Sequence, residues 1–140
     1  MVSFETPASL HPFAAKLTRA VAECWPELWA NRTKTTDIIK VTLVSPESMR
    51  KSNLKYRSLD KPTDVLSFPL YQALSMLPPT DTLLGDIIIC PKMCSQKHLS
   101  VNESLIHGTL HLFGFDHEAN LAEWERALTQ INKQLKNGSA

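Results

Sequence analysis

Long apolar runs are missing from this 140-residue chain, and nothing in it approaches the ~18 consecutive apolar residues that a membrane span needs. The N-terminus also lacks the basic and apolar regions of a signal peptide, so no membrane partner is expected. Cysteine is scarce and odd in number. Cys24, Cys90 and Cys94 cannot all pair, and Cys90-x3-Cys94 is neither the spacing of a zinc ribbon nor that of a redox C-x-x-C motif. Buried thiols in a reducing compartment are the expectation. Excess charge is absent too: a net charge of +1 carries no overall basic signature of a nucleic-acid binder. With 43% hydrophobic and 21% charged residues and no repeat, low-complexity tract or linker, residues 1–140 are expected to form one soluble globular domain around one core.

The charge that is present is unevenly placed. Residues 46–61 carry Arg50, Lys51, Lys55, Arg57 and Lys61 against Glu47 and Asp60, a local +3, whereas residues 62–117 carry a local −3. Such a basic run is commonly a solvated helix face. Hydrophobic periodicity predicts a first amphipathic helix from Pro12 to before Pro26, a β-branched strand over Ile38 to Val44, and a helix opened by Ser45-Pro46 that carries the basic run. Strands over Asp64 to Phe68 and Leu83 to Cys90, a short helix at Pro91, a helix over Val101 to Phe113 and an amphipathic helix over Leu121 to Leu135 complete the order. A fourth strand is possible in Val2 to Glu5. The fold class expected is α/β of the α+β type: about five helices packed on a small mixed sheet of three to four strands, with the site on a central helix.

Residues 107–117, His-Gly-Thr-Leu-His-Leu-Phe-Gly-Phe-Asp-His, hold the chemistry. His107 and His111 lie four apart and project from one helix face at a separation that suits one metal ion. Gly114 is placed for a left-handed helix C-cap, which turns the chain back to deliver His117 as a third imidazole. The spacing H-x3-H-x2-G-x2-H is that of metzincin zinc proteases, but Gly108 stands where a protease needs its general-base glutamate. Met1, Met49, Met76 and Met93 all precede the motif, so the metzincin methionine turn is missing as well. Three imidazoles without an evident fourth protein ligand leave an open coordination position, as catalytic zinc sites do. One zinc ion is expected, although another divalent transition metal would also accept three imidazoles. Ser104, His107, Gly108 and His111 form a polar stripe that should look into a cavity. Gly108 in mid-helix implies a close approach, either by a packed strand or by substrate. Asp116 is open to a ligand, an outer hydrogen-bond acceptor or a turn-capping role, and Asp86 reads as a structural acceptor inside an apolar strand.

Two further segments, Tyr56-Arg57-Ser58-Leu59-Asp60-Lys61-Pro62-Thr63-Asp64-Val65-Leu66-Ser67-Phe68-Pro69 and Leu84-Gly85-Asp86-Ile87, occur with the histidine motif in an order that resembles the YbeY family of bacterial single-strand-specific, metal-dependent endoribonucleases. The likeness covers roughly residues 40–130 with gaps. It implies zinc on His107, His111 and His117 and a catalytic arginine at Arg57. It further implies work in the cytoplasm on single-stranded ribosomal RNA, in maturation of the 3′ end of the small-subunit (16S) RNA and in ribosome quality control. The implied partners are the ribosome or small-subunit ribosomal proteins, with no DNA expected. The family usually has tyrosine where this chain has Phe115. Arg50, Lys51, Lys55 and Lys61 are the candidate phosphate contacts for an RNA strand tracking over the basic helix. Two other functions remain open at this stage: a ribosome-assembly factor that binds RNA or protein with a mainly structural metal, and a zinc hydrolase of another phosphate ester or amide.

Overall fold

Four strands, β1 (Val2–Glu5), β2 (Asp37–Leu43), β3 (Val65–Pro69) and β4 (Thr82–Ile89), join in one sheet in the computed structural model, which describes residues 1–138. The order is β1-β2-β4-β3. β1, β2 and β4 run parallel, and β3 closes one edge antiparallel to β4. Parallel neighbours need long crossovers, and of the six helices among the described residues the first three lie within those crossovers and the last three follow β4. The six are α1 (His11–Cys24), α2 (Pro26–Trp29), α3 (Pro46–Arg57), α4 (Pro91–Gln96), α5 (Val101–Leu112) and α6 (Leu121–Asn137). Proline opens α1 to α4 within their first two positions, where its missing N–H would have had no intrahelical acceptor. Ser45 and Ser100 cap α3 and α5 through their side chains, the latter in a complete capping box with Glu103.

The alternation of β2 and β4 divides the apolar residues between two clusters. Ile39, Val41, Ile87 and Ile89 face α1, α5 and α6, where Leu17, Val21, Leu105, Leu110 and Ile131 complete the main core. Met49, Leu66 and Cys90 form a smaller cluster beneath α3, with Phe68, Ile88 and Met93 packed against it. β3 therefore has α5 on one side and α3 on the other. At the far end of the sheet the buried Arg32 guanidinium donates to both carboxylate oxygens of Asp37, at 3.0 and 2.7 Å, and to the carbonyls of Pro78 and Thr80. That bidentate pair ties the connection before β4 to the start of β2.

Strand and helix boundaries fall within two residues of those expected from the sequence, and Val2–Glu5 is the fourth strand. One helix more is present than expected: Pro26 does not merely end α1 but starts the single turn of α2, which buries Trp29 against Phe113. Asp86 departs from its expected role. It sits in register with Lys40 and Phe68 on the α3 side of the sheet, and its carboxylate accepts no hydrogen bond among the described residues. Only the face opposite the main core accommodates a charge on β4, which is why this strand tolerates it without a partner. No helix among the described residues is long and apolar enough to cross a membrane.

Candidate metal centre and the cavity around it

α5 lies against β3 and β4 with its capped N-terminus fixed and its C-terminal turn opening into a cavity of about 560 Å³. His107 and His111 sit on the last two turns with their Nε2 atoms 3.1 Å apart. Gly114 then adopts φ +95°, a conformation costly for any residue with a Cβ, and His117 returns to the same cavity. Its ring centre is 5.4 Å from that of His107 and 5.3 Å from that of His111. One potential ligand atom from each of the three rings lies within 4.8 Å of the others. An ion with metal–nitrogen bonds of about 2 Å holds its ligand atoms within about 4 Å of one another, so small side-chain rotations suffice. Nδ1 of His117 is also buried without a hydrogen-bond partner among the described residues, an orphan of the kind expected where an added group completes a site. The residues fit a single metal ion.

Burial lowers the proton affinity of His107 and His111. It is the largest influence on His107, followed by the proximity of His111 and His117, and together they push its pKa down to about 4. His111 is lowered by burial first and by His117 second. Ligating imidazoles must be neutral, and the lowered pKa values of His107 and His111 favour that form. The same shift has a cost for the metal-free protein. An unfolded chain protonates His107 near 6.5 while the fold holds it neutral to about 4, so across that window the unfolded state binds more protons. Stability of the metal-free protein is expected to fall as pH drops from about 6.5 towards 4, with no penalty at pH 7. Melting temperatures of chelator-treated protein at pH 7, 6 and 5, beside a His107→Asn variant with a shallower decline, check this; equal slopes for the two proteins would contradict it.

The polar stripe on α5 does not face one way. His107 and His111 look into the cavity, but Ser104 is buried, with its hydroxyl 3.2 Å from Cys94 Sγ and donating to Asp64 Oδ2 at 3.4 Å. Gly108 packs on the sheet: a Cβ there would lie 2.9 Å from Ile87 Cγ2 and 3.2 Å from the Ser67 hydroxyl. The glycine is a helix-to-strand contact, and Ser67 donates to its carbonyl at 3.4 Å. Asp116 caps a turn, accepting from the Glu118 N–H at 2.9 Å. Cys24, Cys90 and Cys94 are all free and buried.

Arg57 is the last residue of α3, where Ser58 takes a left-handed C-cap (φ 58°). Buried Asn53 donates to the Lys61 carbonyl at 2.8 Å and pins the following loop. From that end the arginine lines the same cavity as the three histidines, and among the described residues its guanidinium forms no ion pair. The other basic residues of α3 and of the loop after it are placed differently. Arg50 is held by Glu47 at 3.0 Å and Asp60 at 2.5 Å, while Lys51, Lys55 and Lys61 are exposed outside the cavity wall.

Sequence reasoning missed two residues here. Trp124, reaching in from α6, sets its ring 4.8 Å from those of both His107 and His111 and 5.3 Å from that of His117. An aromatic floor lies under the imidazoles where the spacing comparison had looked for a methionine. Its only signal was a tryptophan on the apolar face of an amphipathic helix, which core packing explains equally well. The second is Asp64 on the cavity wall. Burial alone would raise its carboxyl, but the hydrogen bond and charge of Lys97, with Nζ 2.8 Å away, and the Thr63 hydroxyl outweigh it and hold the pKa below the ordinary value. Asp64 is thus ionised and neutralised at once. β3 supplies the remaining wall. Cys90 N donates to Asp64 O and Leu70 N to Leu84 O, so the alternating ladder leaves the N–H and C=O groups of Val65 and Ser67 on the free edge.

Residues 13–138 match the sequence model of a family described as Endoribonuclease YbeY. The chain belongs to the YbeY family. An Endoribonuclease YbeY of Buchnera aphidicola subsp. Acyrthosiphon pisum is 35% identical over 104 residues, which cover 69% of this chain and 65% of that protein. The YbeY of Aliarcobacter butzleri is 40% identical over 112 residues, covering 74% of this chain and 77% of the relative. The chain therefore spans somewhat less than two thirds of the length of the Buchnera YbeY and more of others. The solution structure of TM1509 from Thermotoga maritima superposes with a TM-score of 0.53 at 23% identity, covering 97% of this chain and 87% of that one, a likeness of fold. Membership of the YbeY family agrees with the resemblance drawn from the Tyr56–Pro69, Leu84–Ile87 and histidine motifs.

Proposed function

We propose that this chain is an endoribonuclease that cuts single-stranded RNA, with one zinc ion on His107, His111 and His117 and with Arg57 as the catalytic cation. The observation that carries this reading is the meeting of three imidazoles and an arginine without an ion-pair partner among the described residues in one open cavity, from opposite sides of an edge strand. A zinc ion bound there supplies Lewis acidity towards a phosphoryl oxygen and a lowered pKa, near 7, for a bound water. Arg57 offers two parallel N–H donors to phosphate oxygens on which negative charge grows. Trp124 and Phe115 exclude water from one side of the site. Asp64, already paired with Lys97, does not repel an incoming phosphate as a bare carboxylate would.

Within this reading, the substrate is ribosomal RNA and the task is 3′-end maturation of the small-subunit 16S RNA and ribosome quality control in the cytoplasm, with the ribosome or its small-subunit proteins as partners. Family membership and the open, polar cavity support it. Lys51, Lys55 and Lys61 are the available phosphate contacts on and beyond α3, while Arg50 must first release Glu47 and Asp60.

The test is cleavage of a single-stranded fragment of small-subunit ribosomal RNA by zinc-loaded protein, beside Arg57→Ala and His107→Ala proteins shown to be folded. Arg57→Ala is expected to lose about 100- to 1,000-fold in kcat, the scale for one lost charge-stabilising donor. His107→Ala is expected to be inactive. Intact RNA, or variants that cut as well as the parent, would transfer the role to RNA or protein binding in ribosome assembly.

A further inference from the structure

Tyr56 belongs to the motif that carries the family resemblance, yet nothing above uses it. Its side chain is conspicuous for its place: 58% exposed, although it is an aromatic ring one residue before Arg57. Isolated exposed apolar residues are ordinary, but this one packs against a second aromatic ring. Its ring stands edge-on to Phe68, centre to centre 5.0 Å at 60°. Phe68 belongs to β3, the strand whose Val65, Leu66, Ser67 and Pro69 wall the cavity, so the platform and the cavity share one rigid support. Lys55 places its ammonium 5.0 Å from the ring centre, within cation–π range.

Resting on the RNA reading of the cavity, we propose that Tyr56 is a stacking platform for one nucleobase of the RNA strand, at the lip of the cavity on the α3 side of β3. A phosphate that reaches both the histidines and Arg57 must lie across the free edge of β3. The strand leaving it on the α3 side then runs past Tyr56. A base laid on a ring already packed against Phe68 stacks at a smaller entropic cost than on a free ring. Lys55, exposed and held among the described residues only by the ring, swings from it to the phosphate of the stacked nucleotide. Selection for single strands follows, because a base in a duplex is already stacked and paired and cannot be laid on a protein ring. The chemical class of ligand is an unpaired nucleotide, recognised by its π-face and so with little regard to base identity.

The experiment is steady-state cleavage by zinc-loaded parent, Tyr56→Leu, Tyr56→Phe and Tyr56→Trp proteins of a short single-stranded RNA of defined sequence. The same kinetics are run on a set of RNAs with one abasic nucleotide at successive positions around the cut. Tyr56→Leu is expected to raise KM on the order of tenfold with little loss of kcat, and the two aromatic variants to stay near the parent. At one abasic position the parent should show the raised KM of Tyr56→Leu, and there the two proteins should no longer differ. Melting temperatures within a few degrees of the parent confirm that the comparison is of folded proteins. If the parent cuts RNA and Tyr56→Leu has the parent's KM, or its deficit persists at every abasic position, the platform is overturned and the nuclease reading survives. If the parent itself leaves RNA whole, the nuclease reading falls and the platform with it.

Discussion

Replacing His111 with alanine is expected to lower zinc affinity by more than about 100-fold, because loss of even an outer hydrogen-bonding partner of a metal ligand costs 10- to 100-fold. His111 stands 3.1 Å from His107, nitrogen to nitrogen, on the rim of the cavity. Its removal leaves two imidazoles, one on α5 and one beyond the Gly114 turn. The ring is only partly buried, so alanine opens the cavity further to solvent rather than creating a closed void, and the metal-free protein should melt close to the parent. The zinc-loaded parent should lose its extra thermal stability in the variant, since that gain comes from ligand binding to the folded state. Competitive titration against a chelating dye measures the affinity, and melting curves with and without zinc measure the stabilisation. His11→Ala and His98→Ala, at exposed histidines outside the triad, serve as controls that should bind zinc as the parent does. Unchanged affinity in His111→Ala would place the metal elsewhere.

The second large effect is on the fold. Gly108→Glu, which writes the protease glutamate back into the motif, is expected to unfold the protein at physiological temperature rather than confer peptidase activity. A Cβ at this position already meets Ile87 Cγ2 at 2.9 Å and Cδ1 at 3.1 Å, and these atoms belong to a fully buried, β-branched residue on the central strand β4. Overpacking of this kind costs about 1–3 kcal/mol. The carboxylate then has to be buried or protonated, and a carboxyl whose pKa rises from about 4.3 to above 7 adds roughly 3.5 kcal/mol at pH 7, where protonating it sets the cost. The sum is comparable to the lower end of the whole stability of a small domain, about 5–15 kcal/mol. Gly108→Ala separates the two contributions. It incurs only the steric cost, offset by about 1 kcal/mol of helix propensity, and should fold with a stability loss of at most about 2 kcal/mol. Urea titrations of the two variants decide the matter; a Glu variant as stable as the Ala variant would mean that α5 turns this position towards the cavity after all.

Much of this architecture was legible along the chain because it depends on neighbours in sequence. Capping by Ser45 and Ser100, the proline starts of the helices, the left-handed Gly114 and the i, i+4 histidine pair are all satisfied within a few residues. What stayed hidden depends on contacts between distant segments. The Gly108 contact needed the position of Ile87, so its sequence allowed either substrate or strand as the close neighbour. Ser104, read as part of a stripe facing a cavity, turned out to be buried because Cys94 and Asp64 come from two other elements to meet it. Asp86 looked like an acceptor inside an apolar strand; the sheet placed it on the face that is only partly covered.

By itself, then, the sequence determined the candidate ligand set, His107, His111 and His117, the turn that brings the third to the other two, and the helical setting of Arg57. These follow from local backbone geometry, which residue type and spacing constrain strongly. Only the tertiary structure decided that Arg57 shares the cavity with the histidines, that Trp124 lies beneath them and that Asp64 reaches the wall already neutralised by Lys97. Each of those facts is a distance between residues far apart in the chain, set by how α3, α6 and the antiparallel edge strand β3 bury their apolar faces against the rest. Binary patterning says that such faces must be buried, and the three-dimensional packing chooses what they are buried against.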